Sequence, residues 1–265
     1  MHKLEITLNG KAVTTDKTTA FGLRTSDEVV ILNGFQIPED RPLKNGDQVT
    51  VIKKGKMPNQ DELEAMMSAR HTPGVHSKMK AGKIAIAGLG GLGSHIAVML
   101  TRMGVGSLFL VDFDIVEPSN LNRQHYNVGH LGEYKTDALK RQLHDINPFI
   151  KIQTQNIRVT EENAKEIFAG FPIVVEAFDN PVSKADLTGS LLADGNVKIV
   201  AASGLAGFSS ANDIKTRRSF SNLYVVGDLE SAAGEGMGLM SPRVSVTAGH
   251  QANMVVRLLL GMEEV

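Results

Sequence analysis

The chain has no cysteine among its 265 residues. That absence excludes disulfides, thiolate zinc sites, iron–sulfur clusters and cysteine nucleophiles from this polypeptide, and it fits a cytoplasmic protein. Charge of one sign is lacking as well. The 28 Lys and Arg nearly balance 29 Asp and Glu, leaving a formal net charge of -1. No electrostatic case for a nucleic-acid or membrane partner follows. Long apolar runs are also missing. The uncharged stretch from Ile84 to Thr101 holds Gly88, Gly90, Gly91, Gly93, Ser94 and His95 at its middle. It reads as a turn between two elements, which excludes a membrane span. Met1-His2-Lys3-Leu4-Glu5 offers no apolar signal-peptide core, and there is no internal repeat or low-complexity tract. What is present, 42% hydrophobic and 22% charged residues, is the balance of an ordinary soluble globular protein. At roughly 150 residues per domain, the length suggests one or two domains.

Residues 1–57 read as a small β domain. Leu4, Ile6 and Leu8 alternate with polar residues, Asn9-Gly10 signals a type I′ hairpin, and Val13 opens the return strand. Thr15 to Asp27 has room for a short helix. Val29-Val30-Ile31-Leu32, a tight turn at Asn33-Gly34, and Phe35-Gln36-Ile37 form a second strand pair. Asn45-Gly46-Asp47 leads into a last alternating strand, Val49-Thr50-Val51-Ile52. The order ββαββ resembles a β-grasp, ubiquitin-like fold. Residues 58–80 are a linker followed by a helix over Asp61 to Arg70, with Asn59 or Asp61 as its cap.

From residue 81 to 265 the pattern alternates strand and helix. Ile84-Ala85-Ile86-Ala87 is a buried strand, and Ile96, Leu100 and Met103 then recur at helical spacing. Leu108 to Val111 forms a strand ending at Asp112. Leu139, Leu143 and Ile146 define a helix that stops at Asn147-Pro148. Ile173 to Phe178 and Lys198 to Ala202 are further strands with a helix between, and a last apolar helix runs from Val244 to Leu260. The fold class expected is α/β, a doubly wound, mainly parallel, Rossmann-like sheet with ligands at the carboxyl ends of its strands.

Gly88-Leu89-Gly90-Gly91-Leu92-Gly93 follows a strand and opens a helix. Glycine serves there for the tight turn, for approach of backbone to phosphate, and for helix–strand packing. Asp112 ends the next strand, where a ribose-binding carboxylate belongs. An NAD-dependent oxidoreductase would use the same features. Arg123, Lys135 and Asp179 add two cations and an acid at the same sheet edge. That set suits a triphosphate with Mg²⁺, since cations neutralise phosphate oxygens and an acid holds the metal. Asp114 either joins the site or caps the loop. His125 and His130 are expected to make ordinary loop hydrogen bonds.

GLGGLGS at 88–94, LVDFD at 110–114, SNLNRQ at 119–124, Lys135 and FDN at 178–180 resemble the ThiF/MoeB family of ATP-dependent adenylyltransferases. The family activates the C-terminal carboxylate of ubiquitin-like sulfur carriers, here expected to be ThiS-type, of thiamine thiazole synthesis. The resemblance implies nucleotide contacts at Gly88, Gly90, Gly91, Gly93, Asp112, Asp114, Asn120, Arg123, Gln124, Lys135 and Asn180. It implies Mg²⁺ at Asp179, catalysis by Arg123, Lys135 and Asp179, and a homodimer. An arginine from the partner subunit precedes the first strand in this family, and Arg70 is the nearest candidate, a solvated helix-end arginine being its alternative. VVILNGFQIPEDRPLKNGDQVTVIKKG resembles ThiS itself, but Gly55 is followed by Lys56 instead of ending a diglycine tail. The fused domain is therefore expected to be a docking or assembly module and not the substrate. Without CxxC pairs no zinc is expected, and without an acceptor cysteine a separate sulfur donor is. The glycine-rich Gly234–Gly238 segment is expected to be a mobile loop near the carrier tail. A non-catalytic carrier-binding scaffold is the other alternative.

Overall fold

The computed structural model describes residues 3–26, 28–53, 55, 60–69, 71–72, 74–193 and 195–265. The chain divides into two compact units, Met1–Lys78 and Met79–Val265. In the first, β1 (Leu4–Leu8) and β2 (Lys11–Thr15) pair antiparallel. Asn9 and Gly10 between them both have positive φ, 48° and 81°, as a type I′ turn requires. β3 (Val29–Leu32) and β4 (Phe35–Gln36) turn in the same way at Asn33-Gly34. β5 (Gln48–Ile52) runs parallel to β1 and antiparallel to β3, giving the order β2-β1-β5-β3-β4. Ile6, Val30, Ile37, Leu43, Val49 and Val51 are its buried core. The helix expected between Thr15 and Asp27 is reduced to one 3₁₀ turn at Phe21–Leu23, and Asp27 lies outside the described residues. The segment is rich in threonine and contains a glycine, residues that resist helix formation. α1 spans Gln60–Ser68 and α2 Val75–Ala81. Asp61 sits inside the first turn of α1 and does not cap it, while Asn59 lies outside the described residues.

The second unit carries β6 (Lys83–Ala87), α3 (Gly91–Arg102), β7 (Ser107–Asp112), α4 (Lys135–Ile146), β8 (Lys151–Asn156) and α5 (Glu161–Ile167). β9 (Ile173–Glu176), α6 (Pro181–Leu192), β10 (Lys198–Ala202), β11 (Lys215–Phe220), β12 (Leu223–Gly227) and α7 (Ser241–Leu259) follow. Its seven-stranded sheet has the order β11-β12-β10-β9-β6-β7-β8, and only the edge strand β11 runs antiparallel to its neighbour. The period of two assigns the faces. Ala85, Ala87, Phe109 and Val111 meet Ala164 of α5, Phe168 just after it, and Leu187 and Leu191 of α6 in one core. Ile84, Ile86, Leu108 and Leu110 point the other way, fully buried beneath α3, α4 and α7.

β8, β11 and β12 are strands that the sequence reading does not place, although β12 carries the apolar run Leu223-Tyr224-Val225-Val226. β8 buries only Ile152, and β11 buries none of its six residues, because edge strands have few apolar positions to fill. The Ile84–Thr101 stretch is shared between β6, the glycine turn and α3. Among the described residues no helix is long and apolar enough to cross a membrane.

Candidate active site

β6, β7, β9 and β10 all end on one edge of the sheet, and a cavity of about 620 Å³ opens there. The glycine turn forms its floor. Gly88 has φ of +91°, and a Cβ on it would lie 2.8 Å from the Ala177 carbonyl oxygen and 2.9 Å from the Phe178 ring. Only glycine allows the β6 turn to come this close to the turn after β9. Gly90 caps α3 without a side chain, so the first-turn amides of the helix have no internal acceptor and favour an anion.

Asp112 holds this turn from β7. Its carboxylate accepts the Leu89 N–H at 2.6 Å and the Asp114 N–H at 2.8 Å. Burial pushes its carboxyl above the ordinary carboxylate range, outweighing the opposing pull of Lys135 and the two amides. Tyr126 donates its hydroxyl to the Leu89 carbonyl at 2.8 Å. Burial, with Asp112 and Asp114 nearby, raises this phenol well above its usual value, so it stays a neutral donor.

Lys135 begins α4 with its side chain buried, and its Nζ lies 2.8 Å from Asp114 Oδ2. The Lys135 amide donates to the Asp114 carbonyl at 3.0 Å. Asp114 therefore both joins the cavity wall and orients Lys135. Arg123 donates from Nη1 to the Ser119 carbonyl at 3.2 Å and to Asn122 Oδ1 at 2.9 Å. His95 of α3 bonds the Arg123 carbonyl through Nε2 at 3.1 Å. Gln124 lines the cavity beside Gly90, and its Oε1 is buried with no hydrogen-bond partner among the described residues.

Of the sequence-predicted residues, Gly88, Gly90, Gly91, Asp112, Asp114, Arg123, Gln124, Lys135, Asp179 and Asn180 line this one cavity. Gly93 and Asn120 do not. A Cβ on Gly93 would stand 1.9 Å from the Gly88 carbonyl oxygen, so this glycine serves helix–strand packing. Asn120 Oδ1 accepts the Glu117 N–H at 3.1 Å and shapes the loop before Arg123. Asn180 caps α6, accepting the Val182 and Ser183 amides at 2.9 and 3.1 Å, while Asp179 is exposed at the wall. Asp179 and Asp114 are two of the four carboxylates on the wall, with Asp112 and Glu230, and such oxygen donors fit Mg²⁺, which takes one or two carboxylates together with substrate phosphates. His125 Nδ1 meets Gln142 at 2.9 Å and His130 Nδ1 accepts the Asn127 N–H at 3.1 Å, as loop histidines. The Gly234–Gly238 segment forms a tight turn, Gly234 and Met237 exchanging amide bonds at 3.0 Å. Arg70 lies outside the described residues.

Sequence reading missed two cations of the wall, Arg158 and Lys184, and the buried acid behind it, Glu176. Arg158 follows the unpredicted β8 and stands 5.7 Å from the Phe113 ring centroid. Lys184 on α6 pairs with buried Glu176 at 3.0 Å. The one available signal was a glutamate closing the apolar run Ile173-Val174-Val175.

Residues 64–265 match the ThiF family profile, and residues 4–55 match that of ThiS-like ubiquitin. The adenylyltransferase and sulfurtransferase UBA4 of Candida glabrata is 38% identical over 129 residues, 48% of this chain and 30% of that protein. The molybdopterin-synthase adenylyltransferase of Haemophilus influenzae is 44% identical over 104 residues, 39% of this chain and 43% of that protein. The chain thus spans less than half the length of these curated relatives. Among solved structures, E. coli tRNA N6-threonylcarbamoyladenosine dehydratase, TcdA, in complex with ATP has a TM-score of 0.69 at 18% identity, covering 78% of this chain and 97% of that one. E. coli MccB with ATP gives 0.57 at 20%, covering 79% and 66%. These two show the shared fold. With its strand–turn–helix cavity built from the family's own motifs and more than half its length matched, this chain belongs to the ThiF family, with a ThiS-like domain at its N-terminal end.

Proposed function

We propose that this protein adenylylates the C-terminal carboxylate of a ubiquitin-like sulfur carrier, and that the carrier is of the ThiS type used in thiazole synthesis. One observation carries the reading: a single cavity joins an anion-binding glycine turn, two cations at Arg123 and Lys135, and the exposed acid Asp179. The glycine turn and Asp112 alone would also suit a dinucleotide; the added cations favour a triphosphate. The carrier carboxylate, already ionised at neutral pH, attacks the α-phosphorus of ATP. An acyl–O–P bond forms, the bond to the bridging oxygen breaks, and pyrophosphate leaves with the electron pair. No general base is required. The first-turn amides of α3, Lys135 and Arg123 hold the phosphates and stabilise the charge that builds up on them. Asp179 would hold Mg²⁺ with help from Asp114, the metal supplying further neutralisation of the phosphate oxygens.

The ThiS-like match at residues 4–55 supports the choice of carrier. The reading includes a cytoplasmic homodimer in which Arg70 reaches the partner's site. Because the chain lacks cysteine, the activated acyl group stays on the carrier, and sulfur comes from a separate thiol or persulfide donor. ATP–pyrophosphate exchange with a panel of purified carriers tests it. Exchange supported by a ThiS-type carrier is expected. Exchange with a molybdopterin-type carrier alone would overturn the choice of carrier. No exchange with any, alongside tight NAD binding, would overturn the activity.

A further inference from the structure

Beneath the Asp179 turn lies a buried ion pair that the chemistry above does not use. Glu176 closes β9 and is 1% exposed. A carboxylate at that depth is retained only if it is paired and hydrogen-bonded. Lys184 Nζ lies 3.0 Å from each Glu176 carboxylate oxygen and 3.0 Å from the Ala202 carbonyl at the end of β10. An ammonium has three N–H donors, and these three acceptors engage all of them. Lys184 lines the cavity yet has no N–H left for a substrate. Glu176 Oε1 also accepts the Phe178 N–H at 2.7 Å. From α7, Gln251 donates to the Glu176 carbonyl at 3.0 Å and the Val200 carbonyl at 3.1 Å. The chain between Glu176 and α6 carries Asp179 and is the segment against which Gly88 closes to within van der Waals limits.

We propose that Glu176 and Lys184 are positioning residues: the pair ties α6 to the ends of β9 and β10 and so fixes where Asp179 stands against the glycine turn. The proposal rests on the nucleotide reading of the cavity. Stability alone does not account for the pair, because a well-packed apolar pair of similar volume generally serves a fold as well or better. Apolar side chains cannot supply directed bonds to the Phe178 amide and the Ala202 carbonyl, and those bonds set the turn.

Calorimetric binding of Mg²⁺ with a non-hydrolysable ATP analogue to the full chain tests this as a double-mutant cycle. Lys184→Met strands a buried carboxylate, so the neutral pair Glu176→Gln/Lys184→Met is measured beside it, with thermal melts confirming that each variant is folded. With Asp179 intact, the neutral pair is expected to weaken binding about tenfold. On an Asp179→Asn background it is expected to change binding less than twofold, since the residue it positions no longer carries its charge. Equal weakening on both backgrounds, or none with Asp179 intact, would overturn the positioning role. Failure of the wild-type protein to bind the analogue at all would overturn the nucleotide reading itself, a separate outcome.

Discussion

Asp179→Asn should separate chemistry from folding. Asp179 is exposed at the cavity wall, and the structural bonds of its turn belong to its neighbours: Asn180 caps α6 and Glu176 takes the Phe178 amide. Removing one charge there should change stability by no more than about 0.5 kcal/mol, as at other surface sites without a packing role. The loss in exchange should be on the order of 10³-fold, about 4 kcal/mol, because the carboxylate is needed where phosphate charge must be balanced. Asp112→Asn provides the contrast. Its carboxylate accepts two amides, at 2.6 and 2.8 Å, whereas an asparagine offers one carbonyl oxygen and turns an N–H donor toward the other. An unsatisfied buried donor costs about 1–3 kcal/mol. Part is recovered, since burial already disfavours the charge on Asp112. A net loss of about 1–2 kcal/mol should lower the melting temperature by roughly 2–8 °C. Pyrophosphate exchange at saturating Mg²⁺ and thermal melts, run on both variants, decide it. Wild-type exchange by Asp179→Asn, or a melting loss as large as that of Asp112→Asn, would refute the reasoning.

Gly93→Ala should destabilise the second unit by about 1–3 kcal/mol or more, because its Cβ would stand 1.9 Å from the Gly88 carbonyl oxygen; an unchanged melt would contradict this packing. Deleting residues 1–57 should leave Mg·ATP affinity within about threefold on the domain reading, measured by calorimetry, with complete loss in a folded product counting against it. Acid should destabilise the fold through Asp228. Burial pushes that carboxyl up, but the Ser231 hydroxyl, the Ser231 and Glu230 amides and Arg243 outweigh it and hold the carboxyl far below its usual range. A lowered carboxyl stabilises the folded state above its unfolded pKa of about 4 and loses that contribution as pH falls below it. Melting temperature should therefore drop from about pH 5 to pH 2, and Asp228→Asn should flatten that drop.

Much of the fold is legible because its strands are either buried on both faces or turned by residues with one conformational role. Ile84-Ala85-Ile86-Ala87 is apolar throughout since β6 sits mid-sheet, covered on both sides. Asn9-Gly10 and Asn33-Gly34 announce hairpins since few other pairs tolerate two positive φ angles. Two of the three strands that escape, β8 and β11, lie at the sheet's two edges. There the pairing is specified by backbone hydrogen bonds on one side only, and sequences such as Lys215-Thr216-Arg217-Arg218 satisfy it without an apolar pattern. The parallel pairing of β1 with β5 joins segments some forty residues apart, which local periodicity cannot encode.

The site divides along a similar line. Gly88, Asp112, Arg123, Lys135 and Asp179, which line one cavity, are readable because each is a glycine or a charged residue standing between the end of a strand and the start of the next helix, where a doubly wound sheet builds its cleft. The residues that aim them are not. His95 holds the Arg123 carbonyl, and Lys184 spends its three donors on Glu176 and Ala202. Each belongs to the site through a side chain reaching across 8 to 28 positions of sequence, and any polar residue of the right length at that spot would look the same in a one-dimensional reading. Asn120 shows the converse: its motif places it on the ligand, whereas its side chain closes its own loop on Glu117 and so presents Arg123. A motif therefore marks which segment forms the site, and three-dimensional hydrogen bonding decides which of its residues face the ligand and which hold the others in place.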